Sequence, residues 1–259
     1  MNDESALEQL LKSNEYLHHI DMDRKTADLV FDRRTIKAIY KLMSDRTIEY
    51  LDFPISSGKE SVVFKVYAKG KPFALKVYKL STLRFGSVWR YIEGDRRFSK
   101  EQIKRSNIVF IWAKKEIVNM EELRKYKIPT PRPIMYYRNL ALMSYIGSRV
   151  SPAPMLKEYS GDFNAAFEQI VASMTVMNQK AHIVHADLSE YNILCFRRKF
   201  YFIDLGQAVS IEHPWAEYFL QRDIRNMVNF FMKKGIKTSV DELYKSVTGN
   251  VRTKEFIVE

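Results

Sequence analysis

The chain lacks the features that mark several large classes of protein. Its 259 residues include one cysteine, Cys195, so an internal disulfide and a zinc site of four cysteines are excluded. No apolar run approaches the length that crosses a bilayer, and the acidic start from Met1 to Glu4 lacks the basic and apolar regions of a secretory signal. We therefore expect a soluble cytoplasmic protein that does not bind membranes, with Cys195 as a buried thiol.

Acidic residues are also in deficit. The chain carries 42 Lys and Arg against 31 Asp and Glu, which gives a formal net charge of +11. A surface of this sign attracts polyphosphates and nucleic acids through its long-range field. Charge balance alone does not separate an RNA-binding protein from a soluble basic enzyme, so both interpretations stay open at this point.

The distribution of apolar residues predicts three segments. Residues 1–46 are charged but have one apolar helical face, which predicts an N-terminal helical extension. Residues 47–146 contain four β-rich runs and one helical run, which predict a small antiparallel sheet with a helix. Within them, the basic stretch 80–107 has little periodicity and is predicted to be a long flexible loop. Residues 147–259 are predicted to form a second, mostly helical lobe.

Side chains suited to phosphate chemistry lie between His185 and Gly206. Phosphoryl transfer needs one carboxylate beside the attacking hydroxyl and two oxygen ligands that hold Mg²⁺ on the nucleotide phosphates. Asp187 and Asn192 are five residues apart, so a short loop can carry both to one pocket, and the apolar run before Asp204 suits a buried strand that ends there. We expect His185 to brace the loop through hydrogen bonds and Gly206 to permit a sharp turn.

Two charged residues are predicted to be buried. Lys76 lies inside an apolar strand, where an unpaired ammonium group would be costly, so it needs an anionic partner. Glu116 shares a helical face with Ala113, Met120 and Leu123, which predicts that its side chain points inward.

The stretch Ser56-Ser57-Gly58-Lys59-Glu60-Ser61 precedes the first predicted strand. Its backbone N–H groups and hydroxyls are suited to bind phosphates. The phosphate loop of other NTPases requires Ser or Thr after the lysine, where this chain has Glu60, so that alternative is disfavoured.

In this order, the motifs resemble those of the RIO atypical serine/threonine kinases, in the RIO-one branch and as a compact archaeal-type member. The resemblance runs from about residue 30 to about residue 250. The motifs that carry it are Ser56–Ser61, Trp112–Glu116, Met143–Gly147, His185–Asn192 and Ile203–Gln207.

The resemblance implies a two-lobed, protein-kinase-like α+β fold. The N-lobe would contain an antiparallel sheet and a helix, and the C-lobe would be reduced and mostly helical, with extra helices at the N-terminus. It implies ATP and Mg²⁺ (or Mn²⁺) as cofactors, with Asp187 as the catalytic aspartate. Asn192 and Asp204 would bind the metal, and Asp204 would also accept a phosphoryl group transiently during ATP hydrolysis. The implied nucleotide-binding residues are Ser56, Ser57, Gly58, Lys59, Ser61, Lys76, Glu116, Ser144 and Ile146.

The resemblance implies that Lys76 contacts the phosphates and that Glu116 is its ionic partner. It also implies that backbone groups of Ser144 and Ile146 face adenine. It also implies ATP-dependent autophosphorylation and a role in maturation of the small ribosomal subunit, so pre-ribosomal particles and rRNA are expected partners. A monomer is favoured. The candidate phosphorylation sites are Ser81, Ser87, Ser99 and Ser106.

Two alternatives stay open. The chain could be a nucleotide-switched module that binds RNA or the ribosome, with incidental turnover, in which case basic residues of 80–107 would carry the function. It could instead be a small-molecule kinase, because no Ala-Pro-Glu motif follows Gly206 and the usual peptide-docking region is expected to be missing. Ala186 also stands where ordinary protein kinases have an arginine, so activation through a phosphorylated loop is not expected.

Overall fold

The computed structural model describes residues 32–81, 88–98, 104 and 107–250. This part of the chain forms five α-helices and nine β-strands. The chain divides into two compact units, each built from three stretches of sequence. The first unit comprises Met1–Ser87, Ile103–Lys114 and Pro133–Tyr145, and the second comprises Val88–Gln102, Lys115–Arg132 and Ile146–Glu259.

Some of the predicted features lie outside the described residues. They include residues 1–31 of the expected N-terminal extension and the candidate phosphorylation sites Ser87, Ser99 and Ser106. The predicted domain boundaries at residues 46 and 146 stay a prediction.

Helix α1 (Arg33–Ser44) begins the described part of the first unit. Asp32 caps its N-terminus, because its carboxylate accepts hydrogen bonds from the N–H groups of Arg34 at 2.8 Å and Thr35 at 3.2 Å. One face of the helix is buried in the core of this unit through Ala38, Ile39 and Leu42.

A five-stranded sheet forms most of the first unit, in the order β1-β2-β3-β5-β4 with every neighbouring pair antiparallel. Its strands are β1 (Tyr50–Ser57), β2 (Ser61–Ala68), β3 (Lys71–Tyr78), β4 (Pro133–Tyr137) and β5 (Leu140–Ser144). The four predicted strands are confirmed, whereas β1 was not predicted. Phe64, Leu75 and Leu142 are buried in the core that includes α1. Lys76, next to Leu75 on β3, points to the opposite face because side chains alternate along a strand.

Helix α2 (Ile108–Lys125) confirms the helix predicted over residues 108–126. It ends before Pro129 and Pro131, which cannot continue a helix. Its residues up to Lys114 belong to the first unit and those from Lys115 belong to the second.

The second unit contains three further helices and four short strands. These are α3 (Phe163–Gln179), β6 (Ile183–Val184), β7 (Ile193–Phe196), β8 (Lys199–Phe202), β9 (Val209–Ser210), α4 (Ala216–Lys233) and α5 (Val240–Thr248). Strand β6 pairs with β9, and β7 pairs with β8. Met174 and Met177 of α3 are buried, as their helical spacing predicts. Among the described residues, no helix is both long enough and apolar enough to span a membrane.

Residues 88–98 differ from the irregular loop predicted across residues 80–107. They form a short helical turn followed by a 3₁₀ helix (Arg96–Phe98). Val88, Ile92 and Phe98 are buried, and so is the charged side chain of Asp95. The sparse apolar residues of this stretch show no single period because they belong to successive short turns, so periodicity could not identify them.

Candidate active site

The loop after β6 and the segment after β8 are joined through Ile203. The N–H of Ile203 donates to the carbonyl oxygen of Asn192 at 3.0 Å. The Nε2 atom of His185 lies 3.0 Å from the carbonyl oxygen of Ile203, which confirms the expected bracing role of His185. These two bonds place Asp204, the next residue, beside the loop that carries Asp187.

Two amide side chains contact the carboxylate of Asp187. The Nδ2 atom of Asn192 donates to the Oδ2 atom of Asp187 at 3.2 Å and to its backbone carbonyl oxygen at 2.7 Å. The Nε2 atom of Gln207 also donates to the Oδ2 atom of Asp187, at 3.2 Å. The structure therefore brings together Asp187, Asn192 and Gln207, with Asp204 close by. Gln207 ends the motif Ile203–Gln207 but was not predicted as a site residue.

The backbone at this site is in an unusual conformation. Ala186 and Asp204 have φ angles of 63° and 59°, in the left-handed region that costs a residue with a side chain about 1–2 kcal/mol. Gly206 lies in a turn as expected, because the N–H of Ala208 donates to the carbonyl oxygen of Leu205 at 3.2 Å, but the residue with a left-handed backbone is Asp204. Strain of this kind persists only where surrounding contacts enforce it, and it concentrates at functional sites.

The buried carboxylate of Asp223 binds the backbone of the loop that carries Asp187. The side chain of Asp223, on α4, accepts hydrogen bonds from the N–H of Ala186 at 2.8 Å and the N–H of Leu188 at 2.9 Å. Burial raises the pKa of Asp223 to about 7, against the opposing effect of those two N–H groups. Asn226 adds a bond from its Nδ2 atom to the carbonyl oxygen of Leu188 at 2.9 Å. The sequence offered one signal for Asp223, an acidic residue on the apolar face of a helix.

Lys76 lies in the first unit, and its side chain is buried as predicted, with 5% exposed. In the sheet it is paired with Val63 on one side and Ala141 on the other. Its Nζ atom is 5.0 Å from the centre of the Tyr78 ring.

Glu116, on α2, is also buried as predicted, with 1% exposed. Ala113, Met120 and Leu123 of the same helix are buried too. The pairing of Glu116 with Lys76 stays a prediction.

The predicted phosphate-binding residues lie at the junction of β1 and β2. Ser56 and Ser57 end β1, Ser61 begins β2, and the exposed Gly58 and Lys59 lie between them. The N–H of Gly58 donates to the carbonyl oxygen of Ser61 at 2.9 Å, which closes the turn.

Lys79, which was not predicted, fixes this turn. The Nζ atom of the buried residue Lys79 donates to the carbonyl oxygen of Gly58 at 2.7 Å. Its own N–H donates to the carbonyl oxygen of Glu60 at 2.9 Å. Both ends of Lys79 thus tie the turn to the end of β3.

The two residues predicted to face adenine fall in different units. Ser144 ends β5 and is paired with Phe73 in the sheet. Ile146 belongs to the second unit, where its carbonyl oxygen accepts a hydrogen bond from the N–H of Ala153 at 3.0 Å.

Oxygen atoms are the available metal ligands at this site. Mg²⁺ prefers oxygen ligands and is usually held by one or two carboxylates together with substrate phosphates and water. Asp204 and the amide oxygen of Asn192 fit that requirement. Within residues 32–81, 88–98, 104 and 107–250, no group of three or more His, Cys, Asp or Glu could hold a metal on its own.

Comparison with known proteins decides the family. A sequence model of the RIO domain matches residues 62–243. The chain belongs to the RIO family. This RIO-family chain is 48% identical over 182 residues to the RIO-type serine/threonine-protein kinase Rio1 of Thermoplasma acidophilum, across 70% of this chain and 96% of that protein. It is 38% identical over 230 residues to Rio1 of Methanocaldococcus jannaschii, across 88% of this chain and 78% of that protein.

These relatives share one name, RIO-type serine/threonine-protein kinase, and the RIO-family chain is an atypical kinase of that class. Among solved structures, it resembles the Rio2 kinase–ADP/Mg²⁺–phosphoaspartate complex from Chaetomium thermophilum with a TM-score of 0.63 at 21% identity. That likeness covers 83% of this chain and 66% of the other. It confirms the predicted kinase-like α+β fold.

Proposed function

We propose that this chain transfers the γ-phosphoryl group of ATP to serine or threonine hydroxyls, including its own, in a Mg²⁺-dependent reaction. The observation that carries the proposal is the contact of the Asp187 carboxylate with Asn192 and Gln207, next to the strained Asp204. In this role Asp187 accepts the proton of the attacking hydroxyl. Asn192 and Asp204 hold Mg²⁺ (or Mn²⁺), which neutralises charge on the phosphates.

Nucleotide binding involves a second group of residues in this proposal. Lys76 contacts phosphates and Glu116 is its partner, while the N–H groups of the turn at Gly58 bind phosphate oxygens. Backbone groups of Ser144 and Ile146 bind adenine. The burial of Lys76 and Glu116 supports these assignments, because buried charges are kept in proteins when they have ionic partners.

ATP hydrolysis would proceed through Asp204. One carboxylate oxygen of Asp204 attacks the γ-phosphorus, the bond to the leaving oxygen of ADP breaks, and an acyl phosphate forms. Water, whose proton Asp187 accepts, then cleaves the acyl phosphate to inorganic phosphate and restores the carboxylate. A phosphoaspartate with ADP and Mg²⁺ is named in the solved Rio2 structure of Chaetomium thermophilum, which supports the assignment.

The experiment compares the wild-type chain with Asp187→Asn and Asp204→Asn. Asparagine keeps the side-chain volume and tolerates the left-handed backbone at position 204. Loss of a general base lowers turnover by about 100-fold or more. We therefore expect the rates of Mg²⁺-dependent ATP hydrolysis and of autophosphorylation to fall by that factor in Asp187→Asn. Asp204→Asn should in addition lose a phosphoprotein that hydroxylamine cleaves. Wild-type turnover in both variants would refute the proposal.

The cellular role follows the family. We propose that the chain acts in the cytoplasm, as a monomer, on the maturing small ribosomal subunit and its rRNA. The net charge of +11 supports an RNA partner. Residues 1–46, 47–146 and 147–259 are the proposed extension, N-lobe and C-lobe.

A nucleotide-switched RNA-binding module is the second candidate. It is favoured by the strained basic residues: nine non-glycine residues of the described chain have positive φ, and Lys or Arg occupies six of these positions. Glycine or asparagine would be less strained there, so we attribute the presence of Lys and Arg to their positive charge. Exposed turns of this kind can contact phosphates.

The test of this second candidate uses two arginines of the β7–β8 hairpin instead of the basic stretch 80–107. Arg84 and Arg105 lie outside the described residues, and the side chain of Arg97 is held by Asp95. We therefore expect Arg197→Glu combined with Arg198→Glu to weaken rRNA binding while leaving ATP hydrolysis intact. Unchanged rRNA binding would count against this candidate, and binding that does not respond to ATP would remove the switch.

A further inference from the structure

A buried polar cluster holds the segment that follows Asp204. Asn119 of α2 is fully buried, and its Nδ2 atom donates to the carbonyl oxygens of Leu205 at 2.7 Å and Ala208 at 3.0 Å. These two carbonyls lie on either side of Gly206 and Gln207. One amide group thus fixes both ends of a short turn.

The oxygen of the same amide is also engaged. The Oδ1 atom of Asn119 accepts a hydrogen bond from the Nη1 atom of Arg97 at 2.8 Å. The carboxylate of Asp95 in turn accepts bonds from the Nε atom of Arg97 at 2.9 Å and from its Nη2 atom at 2.7 Å. The orientation of the Asn119 amide is therefore set by the guanidinium group.

Lys115 completes the cluster. Its Nζ atom is fully buried, donates to the carbonyl oxygen of Ala208, and lies 3.4 Å from the Oδ2 atom of Asp95. We call Asp95, Arg97, Lys115 and Asn119 the loop clamp. All four residues belong to the second unit.

A buried ionic cluster contributes little net free energy to the stability of a fold. Taking charges out of water costs several kcal/mol for each ion, and apolar residues of similar volume often give equal or greater stability. What such a cluster supplies is a defined position for the backbone atoms that it binds. Here those atoms flank Gln207, which donates to Asp187, and directly follow Asp204.

We propose that Asn119 is a positioning residue, and that the loop clamp holds the turn from Leu205 to Ala208 so that Asp204 binds Mg²⁺ and Gln207 orients Asp187. The inference rests on the proposed function. Residues that orient metal ligands affect metal affinity by roughly 10- to 100-fold when they are changed. The effect of losing the clamp should accordingly appear in the dependence of turnover on Mg²⁺ concentration.

Asn119→Asp is the sharpest substitution. It keeps the size of the side chain and its acceptor for Arg97, but it replaces the donor with a carboxylate oxygen that faces two carbonyl oxygens. We expect the half-saturating Mg²⁺ concentration for ATP hydrolysis to rise roughly 10-fold or more. ADP affinity measured in EDTA should stay within about twofold of wild type, because no metal is bound.

Asn139→Asp is the matched control. Asn139 is similarly buried in the first unit, and its Nδ2 atom donates to Thr35 Oγ1 and to the carbonyl oxygen of Tyr78, both at 2.8 Å. This variant loses two equivalent bonds without touching the clamp. It should lower the melting temperature and leave the half-saturating Mg²⁺ concentration unchanged.

The outcomes distinguish failure of the proposed function from failure of the positioning role of Asn119. If the wild-type chain shows no Mg²⁺-dependent turnover, the proposed function fails. If it does, and folded Asn119→Asp keeps the wild-type Mg²⁺ dependence, the positioning role is overturned. An equal shift in Asn139→Asp would overturn it too, since that would be a general effect of instability. If Asn119→Asp does not fold, Lys115→Met is measured instead, and an unchanged Mg²⁺ dependence there has the same meaning.

Discussion

Asp223 holds the loop that carries Asp187 through its side-chain carboxylate. It binds the N–H groups of Ala186 and Leu188, one on each side of Asp187. Asp223→Ala would leave both N–H groups buried without an acceptor, at about 1–3 kcal/mol each. We expect urea unfolding to show a loss of about 2–6 kcal/mol for the two groups together. Glu168→Ala, which removes an exposed carboxylate of α3, should change stability by less than about 0.5 kcal/mol, and an equal loss there would contradict this account.

Lys115 makes stability depend on pH. Burial lowers its pKa from the ordinary value of 10.5 to about 7, against the opposing charge of Asp95. Between those two pH values the unfolded chain binds a proton that the folded chain does not, so the free energy of unfolding should rise with pH.

The measurement is urea unfolding at about pH 7.5 and about pH 9.5 for wild type and Lys115→Met. Stability of the wild type should increase relative to that of the variant as the pH rises. A constant difference between the two proteins would show that Lys115 keeps an ordinary pKa.

Sequence patterns predicted the burial of residues whose neighbours are local in the chain. They did not predict residues whose hydrogen-bond partners are distant in the chain. Lys76 and Glu116 could be predicted as buried because their apolar neighbours lie within one strand and one helix. Asn119 could not, since the carbonyl oxygens that it binds are 86 and 89 residues away in the chain. Gln207 is also bound to a distant residue, Asp187, which lies 20 residues earlier.

At the level of elements, the β7–β8 hairpin turns through two arginines. Arg197 and Arg198 have φ angles of 50° and 60°, which Asn-Gly adopts with less strain in such a turn. Arg197→Asn with Arg198→Gly should raise the free energy of unfolding by about 1 kcal/mol, because relief of strain exceeds the added backbone entropy of glycine.

Arg197→Ala with Arg198→Ala is the matched variant for thermal unfolding. It removes the same two charges but keeps side chains in the left-handed region. We expect no gain in stability from it. A gain equal to that of the Asn-Gly variant would attribute the effect to charge repulsion instead of backbone strain.

Elements that a local stretch of sequence marks were predictable, and compact irregular ones were not. Helix α2 and the β2–β3 hairpin were predictable because a long helical run ends before closely spaced prolines, and two β-rich runs flank a turn that contains Gly70. Residues 88–98 are folded around Asp95 and Phe98, but they make only short turns. Their order depends on partners such as Lys115 and Asn119, which no local window contains.

For the molecule as a whole, the net charge of +11 predicts that binding to polyanions weakens as the salt concentration rises. Each phosphate contact with single-stranded RNA contributes a slope of about −0.7 to the plot of log affinity against log salt. For three or four contacts, affinity should fall roughly 20- to 50-fold between about 50 and about 200 mM KCl. Filter binding with an rRNA fragment measures this slope, and a flat response would exclude an electrostatic RNA interface.

The family and the fold were predictable because long motifs occur in a defined order along the chain. The RIO-domain match over residues 62–243 and the Rio1 relatives confirm that prediction. The division of the chain into two units of three stretches each was not predictable from motif order. It depends on which segments pack together, and composition changes little across their boundaries.

The single cysteine has a practical consequence. Cys195 of β7 lies opposite Phe200 of β8 in the hairpin. Burial raises the pKa of its thiol to about 12. Because the thiolate is the reactive species, this side chain should resist maleimide at neutral pH. A cysteine introduced at the exposed Arg198 would then be the one position that takes a fluorophore or spin label. The native chain thus offers spectroscopists a labelling background that needs no cysteine removal.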